Sequence, residues 1–142
     1  MKTLLFTLSL TLTSFLLQAQ SETVSPSEGI TLTVTVPVQS TEGHVIFGLY
    51  DELTFLKQPL MGLESAIVDG KATVTFTNVK PGTYAVVLFH DKNDNKQMDF
   101  EANGMPKEMF GASNNVLAFG PPQWKEAKFD VGDQPLTLEI IM

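Results

Sequence analysis

Apolar and polar residues alternate with a period of two from Ile30 onward. Leu32, Val34, Val36 and Val38 interleave with Thr31, Thr33, Thr35 and Pro37. Successive side chains of a strand point to opposite faces, so 30–38 reads as a half-buried strand. Its β-branched residues suit a pleated surface, and Pro37, with no N–H to donate, marks an edge or the strand's end. Residues 44–50 form a second strand, with Val45, Phe47 and Leu49 on one face. Residues 51–64 lose the period and contain Pro59 and Gly62, so they read as a long loop with at most one helical turn.

Asp69-Gly70, set between 66–68 and 72–79, is a short hairpin signal. In its second arm Ala72, Val74 and Phe76 face one way and Thr73, Thr75 and Thr77 the other. Lys80-Pro81-Gly82 makes the next turn, because Pro presets φ and Gly accepts φ > 0. Residues 83–90 are apolar on both faces, as a central strand is. A long polar excursion follows over 91–115. Three further strands are predicted at 116–119, 125–131 and 135–142, the last with Leu136, Leu138, Ile140 and Met142 in register. No helical period is sustained after the first twenty residues, and there is no internal repeat. Seven or eight short strands separated by turn signals predict an all-β chain, a single antiparallel β-sandwich of immunoglobulin-like or transthyretin-like type.

The first twenty residues, MKTLLFTLSLTLTSFLLQAQ, follow a different rule. Lys2 supplies a positive start, residues 4–17 are apolar apart from Thr and Ser, and Ala19 offers a small residue at a cleavage point. That layout predicts a signal peptide over 1–19, a flexible lead-in over 20–28 and the β domain over 29–142. The apolar stretch falls short of the ~20 residues that span a bilayer. The expected product is therefore exported, to the periplasm or the exterior, without a membrane anchor after cleavage. With no Cys in 142 residues, disulfides, thiolate catalysis, Cys-ligated zinc and lipid attachment drop out. Loss of Lys2 with the leader leaves eight Lys, no Arg and sixteen acidic residues, a net charge of −8. Such a chain is a poor partner for nucleic acid, which rests on basic patches. The acidity serves solubility, or part of it coordinates cations.

One segment has the spacing for that second use. In Asp91-Lys92-Asn93-Asp94-Asn95-Lys96-Gln97-Met98-Asp99-Phe100-Glu101, oxygen side chains fall on Asp91, Asn93, Asn95 and Asp99. These are relative positions one, three, five and nine, with the Gln97 carbonyl at seven. Calcium takes six to eight hard oxygens, and tight loops deliver them at alternate residues plus one carbonyl. Lys96 stands where an EF-hand loop has Gly, Ala102 holds position twelve, and Glu101 supplies the candidate last carboxylate. So few charges predict an affinity near ~0.1–1 mM, as in extracellular modules. Magnesium, which keeps its waters, fits less well. The competing reading is an ion-free turn, since Asp and Asn also close loops on their own backbone.

The remaining candidates are thinner. His90 ends the central strand, with no second His at ligand spacing, which favours a hydrogen-bonded structural role over metal ligation. Met105, Phe110 and Trp124 lie in loop-rich sequence and offer a groove for a glycan or peptide, or a satellite cluster that pins the loop. Ser113 lacks the G-x-S-x-G elbow of a hydrolase nucleophile, and Asp99, Glu101 and Glu108 have no readable pairing as a glycosidase site. No catalytic residue is assigned. The leading expectation is a non-enzymatic exported module with calcium as its candidate cofactor. A glycan- or peptide-binding module comes second and a hydrolase third.

The run PGTYAVVLFHDKNDNKQMD, followed by GMPKEMFGASNN and FGPP, resembles the uncharacterised bacterial family numbered 2141 among the domains of unknown function. The resemblance spans about 29–142 and rests on P-G-x-Y-A, H-D-x-N-x-N, G-x-P-x-E and G-x-S-N-N in that order. It implies an exported bacterial protein with a sandwich-like β domain, and no assigned activity. The family's usual Gly after Asn95 is Lys96 here. The 91–99 loop is also similar to those of calcium-binding surface-adhesin repeats. The P-G-x-Y turn resembles that of transthyretin-like and carboxypeptidase-regulatory sandwiches, an analogy of fold alone.

Overall fold

The computed structural model describes residues 28–116 and 119–142. The expected signal peptide over 1–19, and the lead-in over 20–28 except its last residue, lie outside the described residues.

Eight strands, one helical turn and one 3₁₀ turn make up the described chain. The strands are β1 (Ile30–Pro37), β2 (His44–Tyr50), β3 (Met61–Ala66), β4 (Lys71–Val79), β5 (Gly82–Asp91), β6 (Phe110–Ala112), β7 (Phe129–Val131) and β8 (Leu136–Glu139). The 3₁₀ turn Ser113–Asn115 follows β6, and α1 (Trp124–Ala127) precedes β7. A three-stranded sheet has the order β4-β1-β8. A five-stranded sheet runs β3-β2-β5, with β6 and β7 sharing the far side of β5. β7 pairs with Gly82, Thr83 and Tyr84, and β6 with Val87, Leu88 and Phe89. β5 is therefore flanked by strands on both sides, as its apolar run requires.

The two sheets share one core. Leu32, Val34 and Val36 of β1 and Phe76 of β4 are buried in the same cluster as Val45, Phe47 and Leu49 of β2 and Val86 and Leu88 of β5. The alternating Thr residues turn outward and pair across strands, Thr33 with Thr75 at 3.1 Å and Thr35 with Thr73 at 3.0 Å. Such pairs are the unit of support on a solvated sheet face.

The structure departs from the sequence expectation at five places. Residues 61–66 form a strand and not part of a loop. Only Met61 and Ser65 of β3 are half-buried, so this edge strand carries no alternation to read. Residues 52–57 make turns, opened by a reciprocal cap in which Asp51 Oδ1 accepts the Thr54 N–H (2.9 Å) and the Thr54 hydroxyl accepts the Asp51 N–H (3.1 Å). Asp69 (φ 52°) and Gly70 (φ 74°) form the expected tight turn, bridged by Val68 and Lys71. Its arms then separate, β3 into one sheet and β4 into the other, so the turn is a corner between sheets.

Near the C-terminus, 125–131 splits into α1 and the short β7, because Gln123 O accepts the N–H groups of Glu126 and Ala127 and winds one turn. Val116 and Phe119 lie outside any strand, with Leu117 and Ala118 outside the described residues, and the edge strand is Phe110–Ala112 instead. The 135–142 strand narrows to β8, which pairs with β1 in parallel. That pairing corrects the expected all-antiparallel arrangement. β8 reaches β1 by crossing from the other sheet, and no hairpin dictates its direction.

Three consecutive side chains stitch these late elements to the core. The Ser113 hydroxyl, 1% exposed, accepts the Val86 N–H at 3.0 Å and donates to the Ala127 carbonyl. Asn114 donates to the Glu126 and Lys128 carbonyls at 2.8 and 2.9 Å. Asn115 donates to the Glu139 carbonyl (3.0 Å) and accepts the Ile141 N–H (2.9 Å). Both Asn residues sit at positive φ, 69° and 53°, which short amide side chains tolerate best after Gly. Gly111 allows the approach, since a Cβ there would lie 2.6 Å from the Ile141 carbonyl oxygen.

Ser113→Ala leaves the Val86 N–H buried and unpaired, a loss of about 1–3 kcal/mol. Urea unfolding should show that loss, and a variant as stable as the wild type would contradict the stitching role.

Candidate functional site

β5 ends on Asp91, which is fully buried, with 0% of its surface exposed. Gly43 (φ 71°) lets the β1–β2 connection press against it, since a Cβ at Gly43 would lie 2.1 Å from the Asp91 carbonyl oxygen. A carboxylate so placed needs donors, and the chain immediately downstream supplies them. Asp91 Oδ1 accepts the Asn95 N–H at 3.1 Å and Oδ2 the Lys96 N–H at 2.8 Å. The next oxygens repeat the device at steps of two. Asn93 Oδ1 accepts the Asn95 N–H (3.3 Å), and Asn95 Oδ1 accepts the Gln97 N–H (3.0 Å). To close this tightly the backbone turns left-handed at Asp94 (φ 56°) and Lys96 (φ 63°).

The amides then meet the last expected residue. Asn93 Nδ2 donates to Asp99 Oδ2 at 2.8 Å, and Asn95 Nδ2 donates to both Asp99 oxygens at 3.0 Å. The structure thus joins Asp91, Asn93, Asn95, Gln97 (through its N–H) and Asp99 in one network. It leaves Glu101 out. Glu101 is exposed, and its peptide closes a turn with Met105 (2.7 Å) and Gly104 (2.8 Å).

Glu108 takes a place that the sequence did not announce. Its Oε2 accepts the Asp99 N–H at 3.1 Å, while the neighbouring Lys107 N–H donates to the Asp99 carbonyl at 2.8 Å. Its Oε1 is buried and has no hydrogen-bond partner among the described residues. The G-x-P-x-E motif was visible in sequence, but only folding of the 100–106 hairpin brings its Glu to Asp99.

Ion pairs tie the loop down on the other side. Lys92 meets Glu42 at 3.0 Å, Lys96 meets Glu64 on β3, and His44 Nδ1 meets Asp94. All six side chains are at least 36% exposed, so water screens each pair and each adds little to stability. The hydrogen bond to Glu64 raises the Lys96 pKa above its ordinary value, with the charges of Asp94 and Asp91 contributing less. Beside the loop lies an open cleft of about 590 Å³, lined by Glu42, Lys92, Asn93, Asp99, Lys107 and Glu108.

Among the described residues, no three His, Cys, Asp or Glu side chains gather closely enough to hold a metal by themselves. A cation here would rest on amide and carbonyl oxygens together with Asp91 and Asp99. That donor set is hard and oxygen-only, which suits calcium and not a transition metal.

The other candidates are dispersed. His90, 8% exposed, donates from Nε2 to the Glu42 carbonyl at 2.7 Å and serves the strand end. Met105 is 61% exposed on the 100–106 hairpin. Phe110 lines a separate cavity of about 330 Å³ with Val116, Pro122, Ile141 and Met142. Trp124 is half-buried and packs edge-on against Phe55 at 5.6 Å, which meets Tyr50 at 6.0 Å. Neither His90, Met105 nor Trp124 lines the Phe110 cavity. Ser113, with its hydroxyl buried and its proton committed to Ala127, lacks the exposed oxygen and adjacent base of a nucleophile.

Comparison with curated proteins gives no match, and neither does comparison with solved structures. A family model matches residues 34–139, from β1 to the end of β8 and across the whole loop. The chain belongs to that family, DUF2141, described as an uncharacterized protein conserved in bacteria.

Proposed function

We propose that the chain is an exported, non-enzymatic β-sandwich module, immunoglobulin-like or transthyretin-like in kind, whose 91–101 loop takes up calcium and is ordered by it. The export reading rests on the leader-like first nineteen residues. The calcium reading rests on one observation above the rest. At the sixth loop position, where calcium loops use Gly for a sharp turn, Lys96 adopts φ 63° and gives its N–H to Asp91. The left-handed region costs a residue such as Lys roughly 1–2 kcal/mol. A loop bent that way against its own residue preference supports the reading beyond the spacing alone.

The ligands would be Asp91, Asn93, Asn95, the Gln97 carbonyl and Asp99. Asn93 and Asn95 each carry an oxygen and a nitrogen on one carbon. Each amide oxygen accepts one backbone N–H here, from Asn95 and Gln97, and its second lone pair would be the one offered to the ion. A bound ion would pin the 91–115 excursion against the sheet and fix the surface around Met105 and Phe110.

At a free calcium of ~5 mM and the ~0.1–1 mM affinity of such modules, binding stabilises the fold by about 1–2 kcal/mol. Thermal unfolding in calcium and in chelator should differ accordingly, and Asp91→Ala with Asp99→Ala should remove the difference. Asp99→Ala alone, which spares the buried Asp91, guards against a variant that simply fails to fold. An unchanged melting temperature in the wild type would overturn the reading.

A second check concerns the turn. Lys96→Gly should keep the calcium response, because Gly accepts φ > 0 freely. Lys96→Val, β-branched and ill-suited to that region, should lower stability by about 1–2 kcal/mol and weaken the response. Equal calcium responses in the two variants would show that the turn does not matter to the ion.

A further inference from the structure

We propose that Glu108 is a positioning residue for the ion loop, holding the Asp99 peptide in place and presenting a carboxylate, one oxygen of which is buried and unpaired, whose charge calcium at Asp99 offsets. The inference rests on the calcium reading above.

Three observations carry it. Glu108 and its neighbour Lys107 grip Asp99 from both sides of its peptide, at the N–H (3.1 Å) and the carbonyl (2.8 Å). That grip sets where the Asp99 carboxylate sits against Asn93 and Asn95. The second observation is the buried Oε1, the one buried side-chain polar atom without a partner among the described residues. A buried acceptor left unpaired costs free energy, and more when it is charged. The third is the ion pairs. None of the three among the described residues includes Glu108. Its charge is therefore not balanced by a neighbouring side chain at contact distance.

Glu108 does not act as a ligand in this scheme, since no three carboxylates gather into one metal cluster. It acts through Asp99, as an outer-shell carboxylate acts on a metal ligand. Its negative charge, held against the Asp99 peptide, would raise calcium affinity without direct contact.

Glu108→Gln separates this role from a merely structural one by the sign of its effect. Gln keeps the shape and an oxygen for the Asp99 N–H, but removes the charge. In chelator the variant should melt at the wild-type temperature or above it, because a buried charge has been relieved. In calcium it should melt below the wild type, with calcium bound about tenfold more weakly by titration calorimetry. Glu101→Gln, exposed and outside the network, should match the wild type in both solutions. Glu108→Asp retains the charge and should recover part of the calcium affinity that Gln loses.

A Gln variant that melts lower in chelator yet keeps the full calcium response would make Glu108 a plain structural contact and overturn the proposal. The calcium reading would survive that result, because the wild type would still respond. A wild type with no calcium response would sink both, and the chelator measurement alone would still decide whether Glu108 carries an uncompensated charge.

Discussion

Everything distinctive in this protein follows from a carboxylate at the end of its central strand. β5 is flanked on both sides and feeds Val86 and Leu88 into the core, and its last residue, Asp91, is as buried as they are. Burying a carboxylate is tolerable only if its oxygens find donors. The next five residues bend left-handed twice to deliver two backbone N–H groups to it. The loop's shape is thus a response to Asp91, and Asn93, Asn95 and Asp99 occupy the positions that this shape brings together.

The same economy recurs at the other end of the excursion. Two sheets of short strands leave many turn carbonyls and N–H groups without ladder partners, and an isolated buried one is costly. Ser113, Asn114 and Asn115 supply those partners to β5, α1 and the chain just beyond β8. The motifs H-D-x-N-x-N, G-x-P-x-E and G-x-S-N-N therefore have separate duties. The first two build the loop and meet at Asp99. The third closes the fold. Ser113 and the two Asn residues act as structural hydrogen-bonding groups.

How much of this was legible depended on burial. Strands with one face in the core show their period, because Val, Leu and Phe alternate with Thr in β1 and β4, and Val45, Phe47 and Leu49 recur at every second residue of β2. β3 has almost no buried face, so nothing in Met61-Gly62-Leu63-Glu64-Ser65-Ala66 had to alternate. β6, three residues long inside a polar excursion, is held by backbone bonds to β5 and leaves no pattern either. The parallel course of β8 is a property of its crossover and has no local signal at all. At the site, the spacing of Asp91, Asn93, Asn95 and Asp99 was readable because one loop carries all four. Glu108 was not, because its contact with Asp99 depends on a hairpin closing between them. Nor could spacing say that Lys96 would accept the turn of a Gly.

The balance of forces on the loop explains why an ion suits it. On the β2–β3 side it is held by exposed ion pairs, which are weak and screened by salt. On the inner side it is held by Asp91 and by two amides bonded to Asp99. Three carboxylates, Asp91, Asp99 and Glu108, then stand within or against one stretch of chain, and the nearby lysines at 92 and 96 pair with Glu42 and Glu64 instead. A chain with no Arg and an excess of acids has few internal cations to bring to such a place. In the proposed reading, a divalent cation from solution would supply the missing charge without adding a side chain to the core. The Asn residues suit that exchange, because the amide that donates to Asp99 also carries the oxygen a calcium ion would use.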